Sequence, residues 1–452
     1  MGKTIGLIGI LGWLLLSVSS LHAGGFALTE KGVKGQGTSY SGGAAAAQDA
    51  STIYWNPAGM TRLETNEAAA ALLMIKPSFT FKGESATNLL GAPIQPAGAD
   101  GGDAGFYNYV PNLFLSYHIN EKWVAGLGVV VPFGLGTEYD ANWVGRYHTV
   151  KSNILSFDIN PSVAWRINDQ WSVGAGVSFQ YLSAELTNAI DFGLASALSP
   201  ALGAAFPGLT PSTPGSDGFA KLEGESWAYG FNLGVLVELS GDSRIGLSYR
   251  SQVQHDVDGN TEFTDPAGAT GISLAAFGGN QDSEAKIDLP ATASLSAYHQ
   301  INVQWAVMAD ITWTGWNSME ELKVTSNGGA PDSITTLNWE DTWRMAAGVN
   351  WFYSEAWTFR SGLAYDPTPV PNAEERTPRV PDEDRFWLSM GGTRRLTPSL
   401  SLDFAATYLW TLDNPELNKV ATATNENNLR GNLKGSYDAD SIILGVQLNY
   451  LF

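Results

Sequence analysis

The sequence predicts an all-β fold: a transmembrane antiparallel β-barrel of about 14 strands with an N-terminal plug inside the lumen. Three observations predict it. The C-terminal residues alternate to the end of the chain, with Ile442, Leu444, Val446, Leu448, Tyr450 and Phe452 on one face and Ser441, Gly445, Gln447 and Asn449 on the other, which suits lipid outside and a polar lumen inside. Past the first residues no apolar run is long enough for a membrane helix, the nearest being Ala68 to Ile75, so whatever spans a membrane must do so as strands. Tight polar turns alternate along the chain with much longer connections, the asymmetry of periplasmic and extracellular faces.

Lys3, the apolar stretch Ile5 to Leu16 and the small residues before Gly24 mark residues 1–23 as a secretory signal peptide. The apolar core is about a dozen residues, too short for a helical span. The zero cysteines suit passage through an oxidising periplasm. A formal charge of -20 argues against nucleic acid as partner and points to acidic external loops. A mean hydropathy of -0.08 is what alternating lumen and lipid faces average to.

Residues 24–65 are rich in Gly, Ala and Ser without alternation. A barrel of this size leaves room inside, so they are expected to be a separate hatch, with residues 66–452 forming the barrel.

Alternation then marks the strands: Leu155 to Trp165, Trp171 to Phe179, Trp227 to Val237, Trp343 to Trp351 and Leu400 to Tyr408 each place apolar residues at every second position against small or polar ones. A sandwich core would alternate too. The turns decide between them. Ile119-Asn120-Glu121-Lys122-Trp123, Ile167-Asn168-Asp169-Gln170-Trp171 and Ile301-Asn302-Val303-Gln304-Trp305 share one frame, and Trp at the start of the next strand builds an interfacial girdle. Long connections are expected near 83–103, 189–221, 262–282, 326–333, 367–381 and 412–432.

With Asn56-Pro57-Ala58 in the hatch a family becomes recognisable. Gly25-Phe26-Ala27-Leu28, Tyr249-Arg250-Ser251, Leu289-Pro290, Asp341-Thr342-Trp343-Arg344, Trp357 to Gly362 and Pro381 to Ser389 follow in matching order. The chain resembles the FadL family of outer-membrane long-chain fatty-acid transporters over essentially all of its mature length. The resemblance implies a fourteen-stranded barrel, a hatch gate at Asn56, Pro57 and Ala58, capture of a hydrophobic substrate outside the cell and sideways release into the outer membrane. It also implies that the terminal Phe452 is read by the barrel-assembly machinery.

The residues argue for the same route. Val129 to Gly136 interrupts the third strand with Pro132, which has no amide to donate, and with glycines that favour a bend. The family's lateral opening lies in this strand, so Pro132, Phe133, Gly134 and Gly136 are expected to form it, an ordinary bulge being the alternative. In the loop near residue 200, Leu194, Leu198 and Leu202 recur at fourfold spacing and Ser199-Pro200 starts a second short helix. With Phe192, Phe206 and Leu209 they would suit a groove for a greasy ligand, or would pack on the barrel rim.

A carboxylate ligand in a low-dielectric lumen needs a cation. Alternation turns Arg250, Arg344, Arg360 and Arg385 inward, and the resemblance adds Lys323 as matching a ligand-region lysine. Asp158, Glu238, Asp310 and Asp403 also point inward, so a bracing network is the competing reading for each arginine. One departure from the family, Tyr181-Leu182-Ser183-Ala184-Glu185 in place of a basic residue after the tyrosine, leaves room for a neutral aromatic hydrocarbon.

Catalysis has no support. Of the 5 histidines, His22 lies in the leader, His118 and His299 beside short turns, and His148 and His255 near strand ends. No phosphate loop, zinc-ligand spacing or nucleophile elbow occurs, so neither cofactor nor metal is expected. A general diffusion porin is the rival within the fold, disfavoured by the hatch. The reading is therefore a gated, energy-independent channel for hydrophobic molecules in the outer membrane, expected to be a monomer.

Overall fold

A computed structural model describes residues 24–452; the expected leader lies outside the described residues. One sheet of 20 segments closes on itself. In chain order these are β1 (Glu67–Thr87), β2 (Asn108–His118), β3 (Trp123–Val130), β4 (Gly134–Glu138), β5 (Lys151–Arg166), β6 (Trp171–Asp191), β7 (Asp217–Glu238), β8 (Ser243–Arg250), β9 (Val253–Thr264), β10 (Gln281–Leu289), β11 (Thr292–Asn302), β12 (Trp305–Thr314), β13 (Glu321–Ser326), β14 (Ser333–Thr336), β15 (Thr342–Ser354), β16 (Trp357–Asp366), β17 (Arg385–Thr397), β18 (Leu400–Thr411), β19 (Glu416–Lys419) and β20 (Asn432–Leu451). Interruptions split β3 from β4, β8 from β9, β10 from β11, β12 from β13, β14 from β15 and β18 from β19, so the segments make 14 strands. The barrel closes where β1 pairs antiparallel with β20, from Glu67 opposite Leu451 to Thr87 opposite Asn432, which leaves no long edge for another chain to extend.

The short turns explain their own sequence. The Asn120 carboxamide accepts from the amides of Lys122 and Trp123 at 2.9 and 3.1 Å; Asn168 and Asn302 do the same for Gln170 and Trp171 and for Gln304 and Trp305. Each is a side-chain-capped turn that asparagine makes readily. The tryptophans that follow stack across strands, Trp123 on Trp165 and Trp305 on Trp351, both at 5.6 Å, where an aromatic girdle belongs.

At the opposite end the strands run further than their alternation suggests. β6 continues to Asp191 and β7 begins at Asp217, so the connection expected at 189–221 shrinks to 192–216. Likewise 83–103 becomes 88–107, 262–282 becomes 265–280, and the stretch 412–432 contains β19. The reason is an inversion of polarity. Within the membrane band Leu155, Phe179, Phe231 and Leu233 face outward and are exposed; above it Leu182, Leu186, Val257, Ile287 and Leu289 are buried inward while Glu223, Glu225, Asp256 and Asp258 are exposed outside. The upper crown is thus built like a water-soluble barrel around its own apolar core.

Residues 24–66 lie in the lumen. Short helices at Val33–Gln36, Gly43–Ala46 and Thr52–Trp55 are followed by a 3-10 turn at Pro57–Arg62. Wall side chains tie them down: the Val33 amide donates to Gln447 Oε1 at 2.9 Å, the Ala44 amide to Ser296 Oγ at 3.0 Å, and Gln36 Nε2 to the Ile443 carbonyl at 3.1 Å. Close approach requires glycine in the wall. A Cβ at Gly246 would stand 1.8 Å from the Ala44 carbonyl oxygen, and one at Gly362 2.1 Å from the Thr38 carbonyl carbon.

Candidate functional site

The break between β3 and β4 organises the lumen. Val131 to Phe133 leave the sheet and Phe133 turns inward to burial. The backbone groups so freed are satisfied from inside: the Leu28 amide donates to the Pro132 carbonyl at 2.9 Å and the Gly134 amide to the Phe26 carbonyl at 3.0 Å. The Phe133 amide donates to Ser156 Oγ at 2.9 Å. Buried backbone polar groups need such partners; residues 26–28 supply them for Pro132 and Gly134, and Ser156 for Phe133.

This docking carries the Phe26 ring into an aromatic cage. Its centroid lies 5.9 Å from Phe133, 5.5 Å from Trp316 and 5.8 Å from Trp339, and the two tryptophans meet edge-on at 5.1 Å. Trp316 and Trp339 come from the inward folds that interrupt β12–β13 and β14–β15. Gly25, at φ +67, fits beneath them because any Cβ would be 2.8 Å from Trp316, and its amide donates to Asp382 Oδ2 at 2.7 Å.

Two cavities meet at Ala27 and Leu28, next to the caged ring. The larger, about 310 Å³, is lined inside by Phe26, Glu30, Ile75, Trp387 and Arg385 and continues past Val131, Gly134 and Gly136 to Leu155 and Tyr109. Those last two side chains are exposed on the outer wall, 50% and 63%, so the cavity crosses the sheet at the break. A second, more polar cavity of about 110 Å³ shares Ala27 and Leu28 with the first and is lined by Tyr40, Tyr54, Ser178, Asn232, Asp310, Arg250 and Arg344. Burial pushes the Glu30 carboxyl above its ordinary range.

The inward arginines separate by partner. Arg250 pairs with Asp158 at 3.1 Å, also donates to Ser178, and stacks on Tyr54 at 4.1 Å. Arg385 pairs with Asp366 at 2.9 Å and with Asp382 at 3.5 Å. Arg360 reaches Gln48 and Thr393 at 3.3 and 2.7 Å, and lines neither cavity. Arg344 differs. Its one hydrogen bond is to the Ser39 carbonyl at 2.7 Å, it lies 5.0 Å over the Trp387 ring, and its buried Nε finds no partner among the described residues. The buried hydroxyl of Tyr40, whose ring meets the same Trp387, is equally unpartnered. Unsatisfied buried donors of this kind invite an acceptor.

The other expected positions lie apart. Glu238 is taken up by Arg62, Asp310 by Ser296 and Thr312, and Asp403 by Thr393 and Asn449. Lys323 sits exposed at the crown, 2.9 Å from Asp332. Asn56 Oδ1 caps the Ala58 amide at 3.0 Å while its Nδ2 donates to the carbonyls of Ala44 and, on β7, Val235 at 2.7 and 3.0 Å; Pro57 opens the following turn, and Pro57 and Ala58 are buried. Phe192 and Leu194 are buried at the rim, the former beside Ile272 and Phe277. Leu198 is exposed, and Leu202, Phe206 and Leu209 are half-buried. None of these loop side chains lines the crown cavity of about 230 Å³, which is walled by Leu186, Ile190, Leu222, Phe263, Phe277 and Leu429 with Arg379 and Arg430. Periodicity found the helices Phe192–Leu198 and Pro200–Ala205, with Ser199 capping the second at 3.4 Å, but not which wall they complete. Tyr40, Trp316, Trp339, Arg379 and Arg430 escaped the sequence reading; the one available signal was Trp313-Thr314-Gly315-Trp316, where a second tryptophan stands off the girdle.

Comparison with known proteins bears on this arrangement. The model of a family described as outer membrane protein transport protein (OMPP1/FadL/TodX) matches residues 14–452. A long-chain fatty acid transport protein of Escherichia coli O6:H1 is 32% identical over 409 residues, 87% of this chain and 88% of that one. Outer membrane protein P1 of Haemophilus influenzae is 28% identical over 97% of both chains. Among solved structures, a Pseudomonas aeruginosa FadL homologue superimposes with a TM-score of 0.84 at 27% identity, covering 95% of this chain and 100% of that one. The toluene transporter TodX of Pseudomonas putida shares the fold, with a TM-score of 0.69 at 17% identity over 96% and 99% of the two chains.

Proposed function

Since the chain belongs to the outer membrane transport family of FadL and TodX, and is a transporter of the outer membrane rather than an enzyme, we propose that it takes up long-chain fatty acids passively and releases them sideways through its own wall. One observation carries this reading: the cavity that begins at Phe26 and Arg385 in the lumen and crosses the sheet between Val131 and Gly136 to the exposed Leu155. A hydrophobic molecule leaving by that path enters lipid and never meets the periplasm, so its transfer needs no energy source beyond the partition of its apolar surface.

In this reading residues 24–65 are the hatch, with Ala27 and Leu28 the partition between the two lumenal cavities and Phe26 facing the larger one. Withdrawal of residues 26–28 from the break joins the cavities, and Asn56, Pro57 and Ala58 hinge the hatch on β7. Arg344 and Tyr40 hold the carboxylate, because the Arg344 Nε and the Tyr40 hydroxyl have no partner among the described residues, whereas Arg250, Arg360 and Arg385 brace the barrel. The chain works as a monomer, and Phe452 is the residue read by the barrel-assembly machinery.

A second reading has its own support. The cage of Phe133, Trp316 and Trp339 already accommodates a phenyl ring, that of Phe26, so a neutral aromatic hydrocarbon fits by the same route. Uptake of labelled hexadecanoate and of labelled toluene by cells that lack their own transporter and express this chain separates the two. A Gly134→Glu variant, whose side chain would enter the opening beside Leu28, should abolish uptake of either. Full uptake by that variant would overturn the lateral route, and leakage of sugars through the unmodified chain would favour a porin.

A further inference from the structure

We propose that the cavity inside the extracellular crown receives a single-chain amphiphile by its anionic head, held by Arg379 and Arg430. The inference rests on the transport reading above and adds to it the head group recognised first.

The cavity wall is apolar on one side and doubly cationic on the other. Leu186, Leu222, Phe263 and Leu429 offer aliphatic and aromatic surface, while both guanidiniums line the same space. Arg379 is anchored by Thr149 Oγ1 at 3.0 Å and Ser152 Oγ at 2.9 Å; Arg430 reaches Ser333 Oγ at 3.1 Å and Thr335 Oγ1 at 3.4 Å. Neither pairs with a carboxylate among the described residues.

The acids of the cavity are committed elsewhere. Asp191 accepts from the Leu194 amide and from the Ser212 amide and hydroxyl, Asp332 pairs with Lys323 at 2.9 Å, and Glu426 accepts from the Thr336 amide and hydroxyl at 3.0 and 2.8 Å. Burial first, and Arg430 second, lower the Arg379 guanidinium to about 9, while Glu426 partly offsets the burial of Arg430. Each arginine carries the planar fork of N–H donors that carboxylate and phosphate fit.

Its position selects the source of the anion. Leu186, Leu222 and Thr261 face inward from β6, β7 and β9, so the cavity lies within the crown, away from the phosphates of lipids packed against the outer wall. Solutes arriving from the medium reach it instead. Charge at a first-contact site acts mainly on association rate.

The test is the association rate of labelled hexadecanoate with the full purified chain in neutral detergent, against labelled 1-hexadecanol of the same length. Arg430→Gln should slow hexadecanoate about tenfold and leave the alcohol unchanged, with the difference shrinking in high salt. Arg430→Lys, which keeps the charge, should restore most of the rate. Because Arg430 makes only long hydrogen bonds to hydroxyls, this variant spares the loop that Arg379 anchors. Equal slowing of both ligands, or of neither, overturns the assignment, as does competition by added lipopolysaccharide as strong as that by unlabelled hexadecanoate. Uptake of hexadecanoate by cells carrying the Gln variant keeps the transport reading alive in those cases; failure of the unmodified chain to take up either ligand would end both.

Discussion

The amide of Gly134 donates to the carbonyl of Phe26 at 3.0 Å, so residues 26–28 act as a missing piece of strand inside a broken one. Between β3 and β4 the sheet keeps the bonds of Ser156 to Phe133 and regains others, at Pro132 and Gly134, from a segment that is not part of the wall. This ties the occupancy of the aromatic cage to the state of the break.

Phe26→Ala should therefore loosen the segment without unfolding the barrel. Emptying a fully packed phenyl site costs about 3–5 kcal/mol where the surroundings cannot collapse. Here the loss falls on docking of residues 24–28, and their amides should exchange with deuterium faster than in the parent chain. Toluene uptake is expected to rise; a fall would mean that the ring is needed by the ligand.

Asn56→Ala removes three hydrogen bonds at once, to Ala58, Ala44 and Val235. An unmet cap and two buried carbonyls together are worth about 2–4 kcal/mol. The expected result is a hatch that swings from β7, seen as sugar permeation in liposome swelling. A variant as tight as the parent would sink the hinge role.

Replacement of arginines by leucine should sort them into two groups. Arg344→Leu removes an Nε without a partner among the described residues, together with a single bond to the Ser39 carbonyl, and should lower hexadecanoate uptake about tenfold while sparing toluene. Arg250→Leu leaves Asp158 buried and unpaired, which costs about 3–5 kcal/mol, and should lower the thermal midpoint and both uptakes alike. The reverse pattern would exchange the two roles.

His148 supplies a pH test. Burial, with Arg430 and Lys419 nearby, pushes its imidazole well below the ordinary range. The folded crown then binds fewer protons than the unfolded chain below about pH 6.5, so its stability falls as pH falls through that window. Protease nicking of the crown loops should increase from pH 7 to pH 5, and the increase should be smaller in His148→Asn. Equal increases in both chains would exclude the histidine as the cause.

The membrane band could be read from the sequence because one physical rule holds there: apolar out, small or polar in. Trp171 to Phe179 and Trp227 to Val237 obey it, and the Asn-capped turns fix the ends. Above the band the rule reverses. Leu182, Leu186 and Val257 are buried while Glu223 and Asp258 face water, so a reader following lipid-facing alternation stops too early and assigns the rest to loops. Leu194 shows a different limit. Its spacing revealed a helix, but a helical ridge carries no mark of what it packs against. Arg344 and Arg250 show the same limit for polar groups, since alternation turns both inward and only the tertiary neighbours distinguish an arginine held by Asp158 from one with an unmet nitrogen.

The reversal of polarity also fixes how far the molecule stands off the cell. On β6 it falls just past Tyr181, and the strand continues to Asp191; at about 3.3 Å per residue and a tilt near 40°, that is roughly 20 Å above the lipid boundary. The mouth of the crown therefore stands among the surface sugars of the outer leaflet and not at its hydrocarbon edge. On the proposed lateral route, a greasy solute that enters there would pass the sugar layer inside a protein sleeve and meet lipid for the first time from within the wall.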